Sequence, residues 1–213
     1  MPKHHLIISG TGRAGTTFLV QLLTQLGLDT GFSDLTSGIY SNCNAGMELD
    51  ITHPVAPYVV KSPHLCGEIE GLLDKGDIVI DCAIIPIRDL YASAESRREV
   101  SRQWKNKETP IPGGLWATIN PRQQEAALAT KMHLLVHALT KHDVPMIWLY
   151  FPRLVQDPDY LYGKLKSVLP GKNLEAFRLA FRAVSRPELV HNFQQKLPSK
   201  LPLLKWVENW FRR

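Results

Sequence analysis

The chain has 213 residues, 44% of them hydrophobic and 21% charged, with a formal net charge of +5. That length fits one α/β domain with a substantial core and excludes two large ones, while the composition is that of an ordinary globular protein and names no activity. The only adjacent Lys/Arg pairs are Arg97-Arg98 and Arg212-Arg213, so the basic excess lacks the dense run that nucleic acid or a membrane surface calls for, and it fits either a small polyanionic partner or a merely solvating surface charge. Three widely spaced cysteines, Cys43, Cys66 and Cys82, argue against a disulfide framework or a zinc site and for a reducing compartment. The first apolar run begins too close to Met1 for a signal peptide, and no apolar stretch reaches membrane-spanning length; the expected setting is cytoplasmic.

In chain order, Leu6-Ile7-Ile8-Ser9 reads as a strand, Gly10 to Gly15 as a Gly-rich turn, and Thr16 to Leu26 as a helix stopped by Gly27. Residues 29–57 are rich in Gly, Ser, Asn, Asp and Pro and read as an irregular excursion. Tyr58 to Lys61 is a short strand, His64 to Leu73 a helix closed near Gly76, Cys82 to Ile87 a buried strand, and Leu90 to Gln103 a helix. Residues 104–121 form a second irregular stretch, and Asn120-Pro121 starts a helix expected to reach about His142. Pro145 to Phe151 is a strand, Asp157-Pro158 opens a helix through Leu169, and further helices are expected near 172–184 and 202–212. Strands alternating with helices imply an α/β fold, one domain over residues 1–213, with a mainly parallel sheet, helices on both faces, and ligands at the carboxyl ends of the strands.

The turn fits the phosphate-loop spacing G-x-x-x-x-G-K-[ST] from Gly10 to Thr17, except that Thr16 stands at the lysine position. Backbone N–H groups of such a turn at a helix N-terminus cradle an anion, and the hydroxyls of Thr16 and Thr17 add donors. Without the lysine, the grip on a nucleotide's terminal phosphates is weakened; Arg13, three positions earlier, offers a bidentate fork instead.

Arg13-Ala14-Gly15-Thr16-Thr17-Phe18 resembles the first loop of the sulfotransferase family, K/R-S-G-T-T followed by an aromatic or apolar residue. The resemblance implies that the loop, with Gly12, binds the 5′-phosphosulfate of 3′-phosphoadenosine 5′-phosphosulfate (PAPS), that Arg13 stabilises charge on the bridging oxygen, and that Phe18 stacks on adenine. Ala14 replaces the usual Ser. Arg88 ends a strand and Ser96 follows eight residues later, the spacing of the family's 3′-phosphate site. Val59-Val60-Lys61-Ser62-Pro63-His64 resembles the family's lysine-bearing strand end, which implies that Lys61 neutralises the transferred sulfuryl group and that His64 acts as base. His64 stands three residues after the lysine rather than two, and Glu48, Asp50 and His53 compete for the role.

Phe151 to Pro158 looks like the family's Y-E-D-L-x-x-D-P segment, with Leu154, Asp157 and Pro158 matching and Phe151 in place of a Tyr that contacts adenine. The C-terminal Gly-rich, Lys-containing loop of the cytosolic enzymes is not found; Arg97, Arg98, Lys105 or the basic C-terminus could substitute. The expected activity is therefore sulfuryl transfer from PAPS to a hydroxyl or amine of a small molecule or glycan by in-line displacement, a scheme that requires no metal. The alternatives are a phosphate-loop kinase or nucleotide hydrolase acting on a small molecule, and a non-catalytic nucleotide-binding module. The acceptor pocket is expected to draw on residues 29–57 and 104–121; Trp104 and Trp116 are taken as packing residues.

Overall fold

The computed structural model describes residues 2–40, 45–103, 112–191 and Phe193. The helix expected over 202–212, together with Cys43, Trp104 and Lys105, lies outside them. Strand β1 (Lys3–Ile8) carries Leu6, Ile7 and Ile8, none of which is exposed to solvent. Helix α1 (Thr16–Gln25) buries Phe18, Leu19, Leu22 and Leu23 along one stripe. It ends as its sequence predicts: Gly27, at φ 78°, donates its N–H to Thr24, and Leu28 donates to Leu23, closing the last carbonyls in a Schellman turn.

Within the stretch read as irregular, two-residue strands β2 (Ile39–Tyr40) and β3 (Ala45–Gly46) form an antiparallel hairpin, too short to leave a periodic trace. Strand β4 (Val59–Lys61) and helix α2 (Leu65–Lys75) follow as expected. Strand β5 (Ile78–Ile87) starts four residues before the expected Cys82. The charged Asp81 interrupts its apolar run, and the structure gives the reason: His5 pairs with Ile80 and Leu6 with Cys82, so Asp81 is the extra residue of a bulge. Its exposed carboxylate takes the His4 ring at 2.7 Å and the Tyr58 hydroxyl at 3.2 Å.

Helix α3 (Leu90–Gln103) is capped by Asp89, whose carboxylate accepts the Ala92 N–H at 2.8 Å. Asn120 caps as expected, but Pro121–Gln123 is a 3₁₀ turn, and helix α4 runs from Gln124 to Lys141. Strand β6 (Met146–Tyr150) leads to helix α5 (Pro158–Leu165), capped by Asp157 and tightening to 3₁₀ at Lys166–Val168 rather than running on to Leu169. Helix α6 (Leu174–Val184) begins at the Asn173 cap.

The four-stranded sheet has the order β4-β1-β5-β6, every neighbouring pair parallel. Leu6, Ile8 and Ile84 face α1, α5 and α6, with Leu19, Leu161 and Phe177 in the same core. Ile7, Val60 and Ile85 face α2 and α4 with Ile69 and Leu135. Helices cover both faces, and each fully buried Leu or Ile contributes about 1.5–3 kcal/mol relative to exposure. No helix among the described residues is long and apolar enough to cross a membrane.

All four strands point their carboxyl ends the same way, so one end of the sheet presents Lys61, the Gly-rich turn, Arg88 and Phe151 in that spatial order. The helix after β1 packs on one face and those after β5 on the other. A crevice therefore opens between the ends of β1 and β5.

Candidate anion-binding site

A cavity of about 800 Å³ occupies this crevice. Gly12, Arg13, Gly15, Thr16, Thr17, Phe18, Lys61, His64, Arg88 and Ser96 all border it. Of the residues assigned to the loop, the 3′-phosphate site and the lysine-bearing strand end, Ala14 alone is absent from the wall; its methyl is buried in the core beneath α1.

The turn owes its shape to left-handed backbone at Gly12 (φ 69°), Arg13 (φ 57°) and Gly15 (φ 84°). For Arg13, a residue with a Cβ, that conformation is strained. Gly15 occupies the N-cap position of α1, no side chain caps the helix, and its first turn carries no acidic residue. The helix therefore presents its first N–H groups and the positive end of its dipole to the cavity.

Three guanidinium groups converge on this point. Arg13 Nε donates to Ser96 Oγ at 3.1 Å, and Arg88 Nη1 donates to the Arg13 carbonyl at 2.9 Å. Arg88 lies over the Phe151 ring at 4.8 Å, so Phe151 acts here as a floor for a cation. Arg97, 5% exposed, donates from Nη2 to the Thr11 carbonyl at 2.6 Å and from Nη1 to the Gly114 carbonyl at 2.8 Å. Burial, and then the neighbouring Arg13 charge, push both Arg88 and Arg97 down to about 10. Among the described residues no carboxylate forms an ion pair with either. The local field is thus strongly positive.

Helix periodicity explains the arrangement. Ala92, Ser93, Ser96, Arg97 and Val100 form the buried stripe of α3, so the sequence places a hydroxyl and a guanidinium on the face that meets the turn.

Lys61, at the end of β4, is 3% exposed and donates to Glu48 Oε1 at 2.6 Å, to the Gly46 carbonyl and to Thr17 Oγ1 at 3.3 Å. Thr17 also donates to Gly46, tying the hairpin to the head of α1. Of the competing bases, Glu48 borders the cavity while Asp50 and His53 do not. Asp50 accepts the Thr52 hydroxyl and N–H, which hold its carboxyl below the usual range, and His53 accepts the Val55 N–H. Both serve turns. His64 is exposed at the start of α2, its ring edge-on to Trp116 at 6.4 Å.

Phe18 is 9% exposed and meets Phe181 edge-to-face at 5.4 Å. Both irregular stretches supply walls: Leu35, Ile39 and Tyr40 from one, Pro112 to Trp116 from the other. Arg98 turns away to Glu95, Glu125 and the Pro121 carbonyl, whereas Arg186, just past the end of α6, borders the cavity. Sequence reasoning gave Trp116 no role and Arg97 only a place among several cations. The one available signal was the helical step from Ser96 to Arg97. No protein-family model matches the chain, and no curated protein matches it.

Proposed function

We propose that the chain is a PAPS-dependent sulfotransferase acting on a hydroxyl or amine of a small molecule or glycan. The observation that carries this reading is the interlock of Arg13, Arg88 and Ser96 at the uncapped head of α1, with Lys61 at the adjoining strand end.

The donor set fits a nucleotide with two separate anionic groups. The turn, Thr16, Thr17 and Arg13 would hold the 5′-phosphosulfate; Arg88 and Ser96 would hold the 3′-phosphate, with Phe18 and Phe151 as the nearby aromatic surfaces. The buried charge of Arg97, with no carboxylate pairing with it among the described residues, favours a polyanion at this end of the sheet. Bound there, the donor supplies an activated sulfuryl group whose bridging S–O bond breaks as the acceptor oxygen or nitrogen bonds to sulfur, the electron pair leaving with the 5′-phosphate.

Arg13 and the α1 amides stabilise the charge that develops on the departing oxygen, and Lys61 that on the transferring group. Glu48, held against Lys61, and His64 both border the cavity and are the candidates for taking the acceptor's proton. A cytoplasmic setting belongs to the same proposal, supported by the buried, unbridged thiols of Cys66 and Cys82.

The test is release of PAP, the desulfated product, from PAPS in the presence of a panel of hydroxyl and amine acceptors. Acceptor-dependent release supports the reading, while binding of PAP without transfer to any acceptor points to a nucleotide-binding module. Within an active enzyme, Glu48→Gln and His64→Gln separate the two bases: the one that removes the proton loses about 100-fold or more in kcat, the other less than about tenfold.

A further inference from the structure

We propose that Arg97 is a positioning residue which couples occupancy of the Gly-rich turn to the placement of the cavity wall at residues 112–116; this rests on the reading of the site as a PAP-binding one. The guanidinium is a rigid planar fork, and its two arms end on backbone carbonyls from segments remote in sequence: Thr11 in the turn and Gly114 in the wall. The close approach depends on Gly12. A Cβ there would stand 2.8 Å from Arg97 Nη2.

On the wall side, Arg97 lies over the Trp116 ring at 5.3 Å, so a shift of the guanidinium is felt by the indole as well as by Gly114. The wall is also anchored to α3 and α4, so the Arg97 fork adjusts a segment already held in place. Ser101 Oγ accepts the Leu115 N–H at 2.9 Å, and the fully buried Gln124 accepts the Trp116 N–H and donates to the Trp116 carbonyl, both at 3.0 Å. Through Trp116 the wall also meets the exposed His64.

The electrostatics give the coupling its direction. Arg97 is buried close to the Arg13 charge, with carbonyl dipoles and an aromatic face; among the described residues no carboxylate pairs with it and its Nε lacks a partner. An anion arriving at the turn relieves that repulsion and strengthens the hold on Thr11 and Gly114 together. Binding at the donor side therefore firms the wall on the acceptor side.

Hydrogen exchange measured by mass spectrometry, with and without saturating PAP, tests this on the full chain. In the wild type, PAP is expected to slow exchange both in peptides covering 10–17 and in those covering 112–116, the latter by about fivefold, a coupling of about 1 kcal/mol. In Arg97→Lys, which keeps the charge and loses the fork, protection of 10–17 persists while protection of 112–116 disappears. Should Arg97→Lys fail to fold, Arg97→Gln, which leaves the turn untouched, removes the buried charge and keeps an amide for only one of the two carbonyls, is expected to uncouple the two segments in the same way. Equal protection of 112–116 in wild type and variant overturns the coupling and leaves the proposed function standing. Absence of PAP protection anywhere in the wild type overturns both.

Discussion

Arg13 is the residue on which the site turns, because it reaches two others: its Nε meets Ser96 and its carbonyl receives Arg88. A charge-assisted contact to a phosphate is worth about 1.5–3 kcal/mol, whereas a neutral hydroxyl contributes about 1 kcal/mol. Arg13→Gln is therefore expected to weaken PAP binding by tenfold or more on the same scale of about 1.5–3 kcal/mol, and Ser96→Ala by about fivefold, both read by calorimetric titration. The order matters, since a larger loss at Ser96 would mean that the hydroxyl, not the guanidinium, holds the anion. These residues were legible in the sequence through their resemblance to sulfotransferase motifs, each of which sits at a strand end or on the helix that follows it. Glu48 was legible only as one of several acidic or imidazole groups in 29–57. Its pairing with Lys61 follows from the fold of that segment, where a two-residue hairpin and no periodic pattern directs the chain.

At the scale of elements, α3 and the wall at 112–116 form the scaffold that carries Ser96 and Arg97. Gln124 makes two hydrogen bonds to Trp116 from a site with no solvent access. Gln124→Ala leaves a buried N–H and C=O without partners, and is expected to cost about 2–4 kcal/mol in chemical denaturation.

On the outer face of α3, Glu95 is pulled upward by burial, but hydrogen bonds from Arg102 and Arg98 outweigh this and hold its carboxyl below the ordinary glutamate value. A carboxylate depressed in the folded state stabilises the protein above its unfolded value, and that contribution is lost as pH falls through the folded one. Thermal melts of the wild type should therefore lose stability as pH falls below the ordinary glutamate range, and Glu95→Gln should flatten that limb. The helix itself has the bounds expected from the sequence, Leu90 to Gln103. The start of β5 does not match, because the bulge at Asp81 places a charge inside an otherwise apolar strand.

For the whole molecule, the order β4-β1-β5-β6 explains why four motifs scattered over the sequence meet at one end of a sheet. Strand and helix alternation made the parallel sheet and its two helical layers legible, since buried parallel strands announce themselves as short apolar runs. What periodicity does not encode is the path of the irregular stretches, and these form much of the cavity opposite the turn. The net charge of +5 finds a local expression in the Arg13, Arg88 and Arg97 cluster. A phosphate-loop kinase would instead need a lysine where Thr16 stands. Calorimetric titration of the purified protein with PAP and, separately, with ATP and magnesium separates these accounts most directly. The account predicts one PAP bound per chain, at least about tenfold more tightly than ATP. Binding of magnesium ATP with no heat from PAP at millimolar concentration would contradict it.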